Sequence, residues 1–188
     1  MQSREEAIAL WRAHNDDDYL FRHALSVEAV MRHFAAKQGE DIDYWARVGL
    51  LHDIDFQEHP EEHLKLASAV LAAAGYPEPF IRAVESHGYG LCSEVEPVLE
   101  MEKVLFAVDE LTGFITACAY VRPSKSVLDI EAKSVLKKFK TPAFAAKIDR
   151  GVIQKGAEML GLPLEELVTE TILALRPVAA EIGLKGNL

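Results

Sequence analysis

The stretch Trp45-Ala46-Arg47-Val48-Gly49-Leu50-Leu51-His52-Asp53-Ile54-Asp55 decides the reading of this chain. It is an apolar helical run that ends in a histidine and an aspartate side by side. Such a pair offers an imidazole nitrogen and a carboxylate oxygen to one point in space, a mixture that first-row divalent metals favour. At a helix C-terminus an isolated carboxylate is disfavoured by the helix dipole. Asp53 there is either offset by a cation or is a surface residue that ends the helix. Two ligands hold a metal weakly, so the rest of the chain must be asked for more.

Upstream, Asp16, Asp17 and Asp18 supply an N-cap for a helix. In that helix Leu20, His23, Ala24, Val27, Val30, Met31 and Phe34 recur at three- and four-residue steps. His23 therefore faces the core, where its imidazole needs a partner, either a metal or a core hydrogen bond. Further upstream, Ser3-Arg4-Glu5-Glu6 fits a capping box that starts a helix running to about His14. Gly39 to Asp41 breaks the second helix, and Asp41 or Asp43 caps the third.

Downstream, Pro60 followed by Glu61 and Glu62 predicts a helix to about Ala74, stopped by Gly75-Tyr76-Pro77. His59 and His63 are four apart and could share a face, with His59 read as a cap or solvated residue. Phe80, Ile81, Val84 and His87 lie on one side of the next helix. His87 precedes Gly88, so it either reaches a site at helix ends or answers the C-terminal dipole. From Pro97 to about Tyr120 runs a long apolar helix interrupted by Asp109, and buried carboxylates are rare without pairing. Its neighbour Glu110 is expected to point elsewhere, about 100 degrees around the helix.

In order these residues read His23, His52-Asp53, His63, His87, Asp109. That order resembles the HD superfamily of metal-dependent phosphohydrolases, from about Tyr19 to Gly113. The run from Asp109 to Lys140 is also similar to small bacterial proteins known as predicted HD-superfamily hydrolases. The resemblance implies that His23, His52, Asp53 and Asp109 bind one divalent ion, with His63 and His87 holding a second. It favours His63 over His59, because a histidine followed by Ala67-Ser68 matches the family pattern. It implies one or two divalent ions (Mn, Fe, Co, Ni, Mg or Zn), with Asp53 and Asp109 as the catalytic carboxylates. The ions would activate water and polarise a phosphoryl oxygen. Asp55, Glu62 and Glu85 are acids near these motifs that could serve the leaving group.

The doublet is followed by Ile54-Asp55-Phe56, not the Ile-Gly-Lys of many signalling phosphodiesterases in the family. Gly75-Tyr76-Pro77 is a helix stop, not the signature of cyclic-dinucleotide hydrolases. The Glu-Asp motif of alarmone hydrolases is missing. A small phosphate ester or nucleotide is the expected substrate. Two other readings remain: a di-iron HD-type oxygenase, which the same ligands would serve, and a non-catalytic ligand-binding protein.

The 188 residues suffice for one domain with a sizeable core. We expect an all-α, compact helical bundle, with a metal-binding core over about 19–120 and a helical extension over about 124–188. In the extension, helices are expected near 127–138, 142–148, 150–160 and 164–182, from Pro142, Pro163, Gly161 and Gly183. The last has an apolar face read as core packing or a homodimer contact. The net charge of −10 argues against a nucleic-acid polymer as partner. Yet Arg122 to Lys155 carries nine Lys or Arg against three acids. Arg122, Lys125, Lys133 and Lys137 are therefore candidates to hold the phosphate of a small anionic substrate, against the plainer reading of a solvated helix face. No apolar run reaches the roughly 18 residues of a membrane span. Two cysteines, Cys92 and Cys118, and an N-terminus without a signal-peptide core fit a cytoplasmic protein.

Overall fold

The chain is described by a computed structural model over residues 2–58 and 60–188. His59, read above as a cap or solvated residue, lies outside the described residues. Helix α1, Arg4–His14, opens on the expected capping box: Glu6 N–H donates to Ser3 Oγ, and Ser3 N–H to the Glu6 carboxylate. The Asp17 carboxylate caps α2, Asp18–Gln38, accepting from the amides of Tyr19 and Leu20. Gly39, at φ 74°, ends α2 in the left-handed region that glycine enters without a Cβ clash. Asp41 caps α3, Ile42–Leu51, through the Tyr44 amide. Then follow α4, Ala67–Ala73; α5, Glu78–Ser86; α6, Glu100–Tyr120; α7, Ala132–Phe139; α8, Arg150–Met159; and α9, Leu164–Leu175. Among the described residues there is no β-strand, only an isolated bridge between Tyr89 and Ser93. The all-α expectation holds.

The pair α2 and α3 is the most extensively packed, and α2 also packs on α6 and α9. Gly49 makes the first contact close: a Cβ there would lie 3.0 Å from the Val27 carbonyl oxygen and 3.1 Å from the Glu28 nitrogen. Gly156 lets α8 approach Ala107 of α6 in the same way. One hydrophobic cluster runs from Ala7 to Leu184, with Trp11, Phe80 and Phe114 fully enclosed. The buried Glu28 and Glu102 carboxylates are answered by Arg4 and Arg82 respectively.

Three expectations about helices are corrected. The helix predicted from Pro60 to Ala74 is split: Pro60–Glu62 is a 3-10 turn, Leu64 sits at φ 69°, and α4 begins only at Ala67. The reason is tertiary, since the buried Asp55 carboxylate accepts from the Leu66 and Ala67 amides and so starts α4 from across the chain. The helix expected over 142–148 is a run of turns with Ala145 at φ 45°. Arg150 organises those turns by donating to the carbonyls of Phe139, Thr141 and Phe144. The last helix stops at Leu175, just before Pro177, which lacks the amide a helix interior needs.

Candidate metal centre

His23 lies in α2 and Asp109 in α6, two helices that pack on each other. His52 caps the C-terminus of α3 and Asp53 follows it; His87 caps the C-terminus of α5. His63 lies in the turn that Asp55 imposes before α4. The fold brings all six predicted side chains together. His23 Nε2 is 2.9 Å from Asp109 Oδ1 and 3.2 Å from His52 Nε2. His52 Nε2 is 3.4 Å from Asp109 Oδ1 and 3.2 Å from Asp53 Oδ2. The other oxygen of the same carboxylate, Asp53 Oδ1, is 3.2 Å from His63 Nε2 and 3.4 Å from His87 Nε2. His63 Nε2 and His87 Nε2 are 3.1 Å apart. Asp53 thus turns one oxygen to each half of the cluster.

The outer nitrogens fix which way the rings present their lone pairs. His52 Nδ1 is 2.8 Å from the Gly49 carbonyl, and His87 Nδ1 is 2.6 Å from the Val84 carbonyl. A carbonyl only accepts, so both Nδ1 atoms carry the proton. His63 Nδ1 donates to Asp55 Oδ1 at 2.9 Å. His23 Nδ1 is 3.3 Å from Thr112 Oγ1, whose own proton goes to the Asp109 carbonyl. All four neutral rings therefore aim an Nε2 lone pair inward. Neutral rings held this way meet lone pair to lone pair at 3.2 Å and 3.1 Å. Each facing pair is held together by a proton or by a metal ion between the nitrogens, and partners on the outer nitrogen are the usual support of metal-ligating histidines.

The electrostatics agree. Burial alone would lower the His52 pKa, but the charge of Asp53 and hydrogen bonds to Asp109 and Asp53 hold it well above the ordinary value. His63 is likewise pushed up to about 9, Asp53 and Asp55 outweighing its burial. Asp53 and Asp109 are held far below the usual carboxylate range by the imidazoles, against the opposing effect of burial. The carboxylates thus draw positive charge into the cluster, and a proton or a metal can provide it. His23, His52 and Asp109, and His52, Asp53 and His87, form two overlapping groups with ligand atoms within 4.8 Å of one another. The donor set fits divalent ions that accept mixed nitrogen and oxygen ligands.

A cavity of about 360 Å³ opens over the cluster, reaching His23, Asp53, His63, His87 and Asp109. Glu110 lines it too, contrary to the expectation that it points elsewhere. The mouth is wide enough to take both neighbours on α6, which the angular step between them does not reveal. Burial and the adjacent Asp109 charge push the Glu110 carboxyl up to about 7. Asp55 does not face the cavity as an acid: it is 1% exposed and committed to His63 and two amides. Glu62 is exposed beside Lys65, and neither it nor Glu85 lines the cavity.

The structure does not bring Arg122, Lys125, Lys133 or Lys137 to this cavity. Arg122 instead makes a two-pronged ion pair with Asp129 in the loop after α6. Much of the basic segment serves local folding: Arg150 holds carbonyls, and Lys138 sits 4.9 Å from the Phe144 ring centroid. A second recess of about 420 Å³ lies between α2 and the end of α9. Arg4 pairs there with Glu28, Arg32 with Asp43 and His33 with Glu170. Among the described residues no metal-type cluster lies there. Nor is any helix among them long and apolar enough to cross a membrane.

Comparison with curated proteins and with solved structures finds no match. Comparison with protein families finds the HD domain, matching residues 20–113. That span is half of the chain and contains all six clustered side chains. The chain belongs to the HD-domain family.

Proposed function

We propose that this protein is a metal-dependent phosphohydrolase acting on a small phosphate ester or nucleotide. The observation that carries the reading is the inward aim of four Nε2 atoms around a carboxylate that turns one oxygen to each half of the cluster. His23, His52, Asp53 Oδ2 and Asp109 would hold one divalent ion; His63, His87 and Asp53 Oδ1 would hold a second. Such ions supply charge that polarises a phosphoryl oxygen and makes water acidic enough to attack near neutral pH. The chain's own part is placement. Asp53 ties the two halves together, so that attacking and leaving oxygens are served from one rigid centre. Gly49, Val84, Asp55 and Thr112 lock the four rings by their outer nitrogens. Leu20, Phe56 and Val152 give the cavity an apolar flank, against which a bound substrate would displace water and strengthen the electrostatic interactions beneath it.

The test is elemental analysis of protein purified without chelator, beside phosphate release from phosphomonoesters and nucleotides with added Mn, Co, Ni or Mg. We expect one or two metals per chain and release that a chelator abolishes and metal restores. His52→Ala should lose both the metal and the activity. Two irons without phosphate release would overturn the proposal in favour of an oxygenase. Absence of metal binding under all these conditions would overturn it in favour of a non-catalytic protein.

A further inference from the structure

The walls of the cavity above the cluster are apolar. Tyr19 and Leu20 of α2, Phe56 after the His-Asp doublet, Leu91, Ile148 just before α8 and Val152 in its first turn surround the mouth. Three of them are large hydrophobic side chains left open to solvent: Tyr19 is 59% exposed, Leu91 62% and Phe56 36%. Their gathering around one opening, over a polar floor, is the signature of a ligand surface.

The charged side chains along the same cavity are acids, Asp53, Asp109 and Glu110, and among the described residues no Lys or Arg lines it. Three basic residues near the wall segments, Arg150, Lys155 and Arg12, have partners of their own, and Lys147, beside Ile148, is exposed and outside the lining. Arg150, two residues from both Ile148 and Val152, gives its donors to backbone carbonyls. Lys155, one helical turn after Val152, lies 4.3 Å from the Tyr89 ring centroid. Arg12 stacks over Phe21 at 4.0 Å and pairs with Asp18. Arg22 borders only a recess of about 20 Å³ beside Tyr19, room for roughly one water and not for a substrate group. One phosphate could be neutralised at the cluster floor. A second phosphate would lie against apolar walls and near the Glu110 carboxylate, with no Lys or Arg of the lining to pair with it, and like charges placed together are unfavourable.

We infer that the substrate is a monophosphate ester whose organic part is uncharged and presents an apolar face, about the size of one or two rings. This rests on the phosphohydrolase reading above. The phosphate meets the His/Asp floor; the organic part packs between Tyr19, Phe56, Leu91 and Ile148. These wall residues set specificity, and polyphosphates are disfavoured. Burying one apolar group in such a pocket separates substrates by about 10- to 200-fold.

The experiment compares kcat/KM of the full, metal-loaded chain on 2-phenylethyl phosphate, glucose 6-phosphate and ATP. The first two are phosphates of primary alcohols, so their leaving groups have similar intrinsic reactivity. We expect 2-phenylethyl phosphate to exceed glucose 6-phosphate by at least about tenfold, and ATP to be the poorest. Leu91→Lys, at an exposed position, should reduce that preference mainly through KM. Glucose 6-phosphate or ATP equal to or better than 2-phenylethyl phosphate would overturn the inference while keeping the phosphohydrolase. A preference unmoved by Leu91→Lys and by Phe56→Ala would overturn the wall assignment. No hydrolysis of 2-phenylethyl phosphate by a chain that releases phosphate from other substrates of the screen above would overturn this inference alone, and no release from any of them would overturn the phosphohydrolase reading with it.

Discussion

Replacing Asp55 by Asn isolates the support beneath the cluster from the cluster itself. The Asp55 carboxylate accepts three hydrogen bonds: from His63 Nδ1 at 2.9 Å, from the Leu66 amide at 3.2 Å and from the Ala67 amide at 3.0 Å. Oδ1 serves the imidazole and Oδ2 serves the amides. Asparagine has one acceptor oxygen, and its NH2 would meet a donor whichever way it turns. At least one donor then loses its partner at a site that is 1% exposed. An unsatisfied buried donor costs about 1–3 kcal/mol. For a chain of this length each kcal/mol moves the midpoint by roughly 2–4 °C, so we expect a fall of about 4–8 °C for a loss near the middle of that range. Loss of a partner on the outer nitrogen of a metal-ligating histidine costs about 10- to 100-fold in affinity. The weakened ion should be the one held by His63 and His87. Thermal unfolding in chelator gives the first quantity and calorimetric metal titration the second. Glu62→Gln, at an exposed ion pair, serves as the control and should move neither. An Asp55→Asn protein with unchanged midpoint and two ions of unchanged affinity would refute the reasoning.

Gly156→Ala should destabilise the fold, because the new Cβ would lie 2.5 Å from the Ala107 Cα; overpacking of about 1–3 kcal/mol exceeds the roughly 1 kcal/mol that alanine gains in a helix. Urea unfolding checks it, and a stabilised variant would contradict the close approach of α6 and α8. In chelated protein His63, raised from 6.5 to about 9, adds stability in full below about pH 6.5 and loses it as pH rises through about 9. Metal must displace that proton, so affinity at His63 should climb with pH up to about 9, by about tenfold per unit; a flat profile would contradict the proton's presence. Cys118 is buried, and burial pushes its thiol up to about 11, so iodoacetamide at pH 8 should label Cys92 and spare Cys118 in native protein. Mass spectrometry of the peptides reads the result, and inorganic phosphate with metal should slow labelling of Cys92, which lines the cavity.

Much of this was legible in the order of the residues. Ser3, Asp17 and Asp41 announce helix starts by a local mechanism, so the first three helices match expectation closely. Five of the six clustered side chains were legible because each interrupts or closes an apolar helical stretch where a polar group needs a partner, whereas His63, which lies in a turn, was picked out only by the family resemblance. What failed was what depends on distant partners. The periodicity from Pro60 to Ala74 hides the break at Leu64, because the group that causes it, Asp55, lies outside the segment. Pro142 looks like a helix start, yet the carbonyls of that segment are taken by Arg150. Glu110 is separated from Asp109 by a helical step that does not say how wide a cavity is. Local charge likewise does not show that Arg122 already has Asp129.

The four imidazoles show why a helical fold suits this centre. A helix leaves its last four carbonyls without intrahelical partners. His52 and His87, placed at helix C-termini, each use one from three residues back, Gly49 and Val84, to lock the outer nitrogen. Ring orientation there comes from the helix end itself. His23 sits in the interior of α2, where the carbonyls are consumed by the helix ladder, so it must borrow a partner from elsewhere. Thr112 is that partner, and it stands three residues after Asp109 on the same face of α6. One helix therefore delivers both a carboxylate to the inner nitrogen and a hydroxyl to the outer one. His63 has neither device: it lies in a turn, and Asp55 shapes that turn while holding the ring. The half of the cluster built on helix ends and helix faces is thus fixed by the fold as a whole. The half that includes His63 depends on one buried carboxylate, and it is the half whose ion should be lost first when that carboxylate is changed.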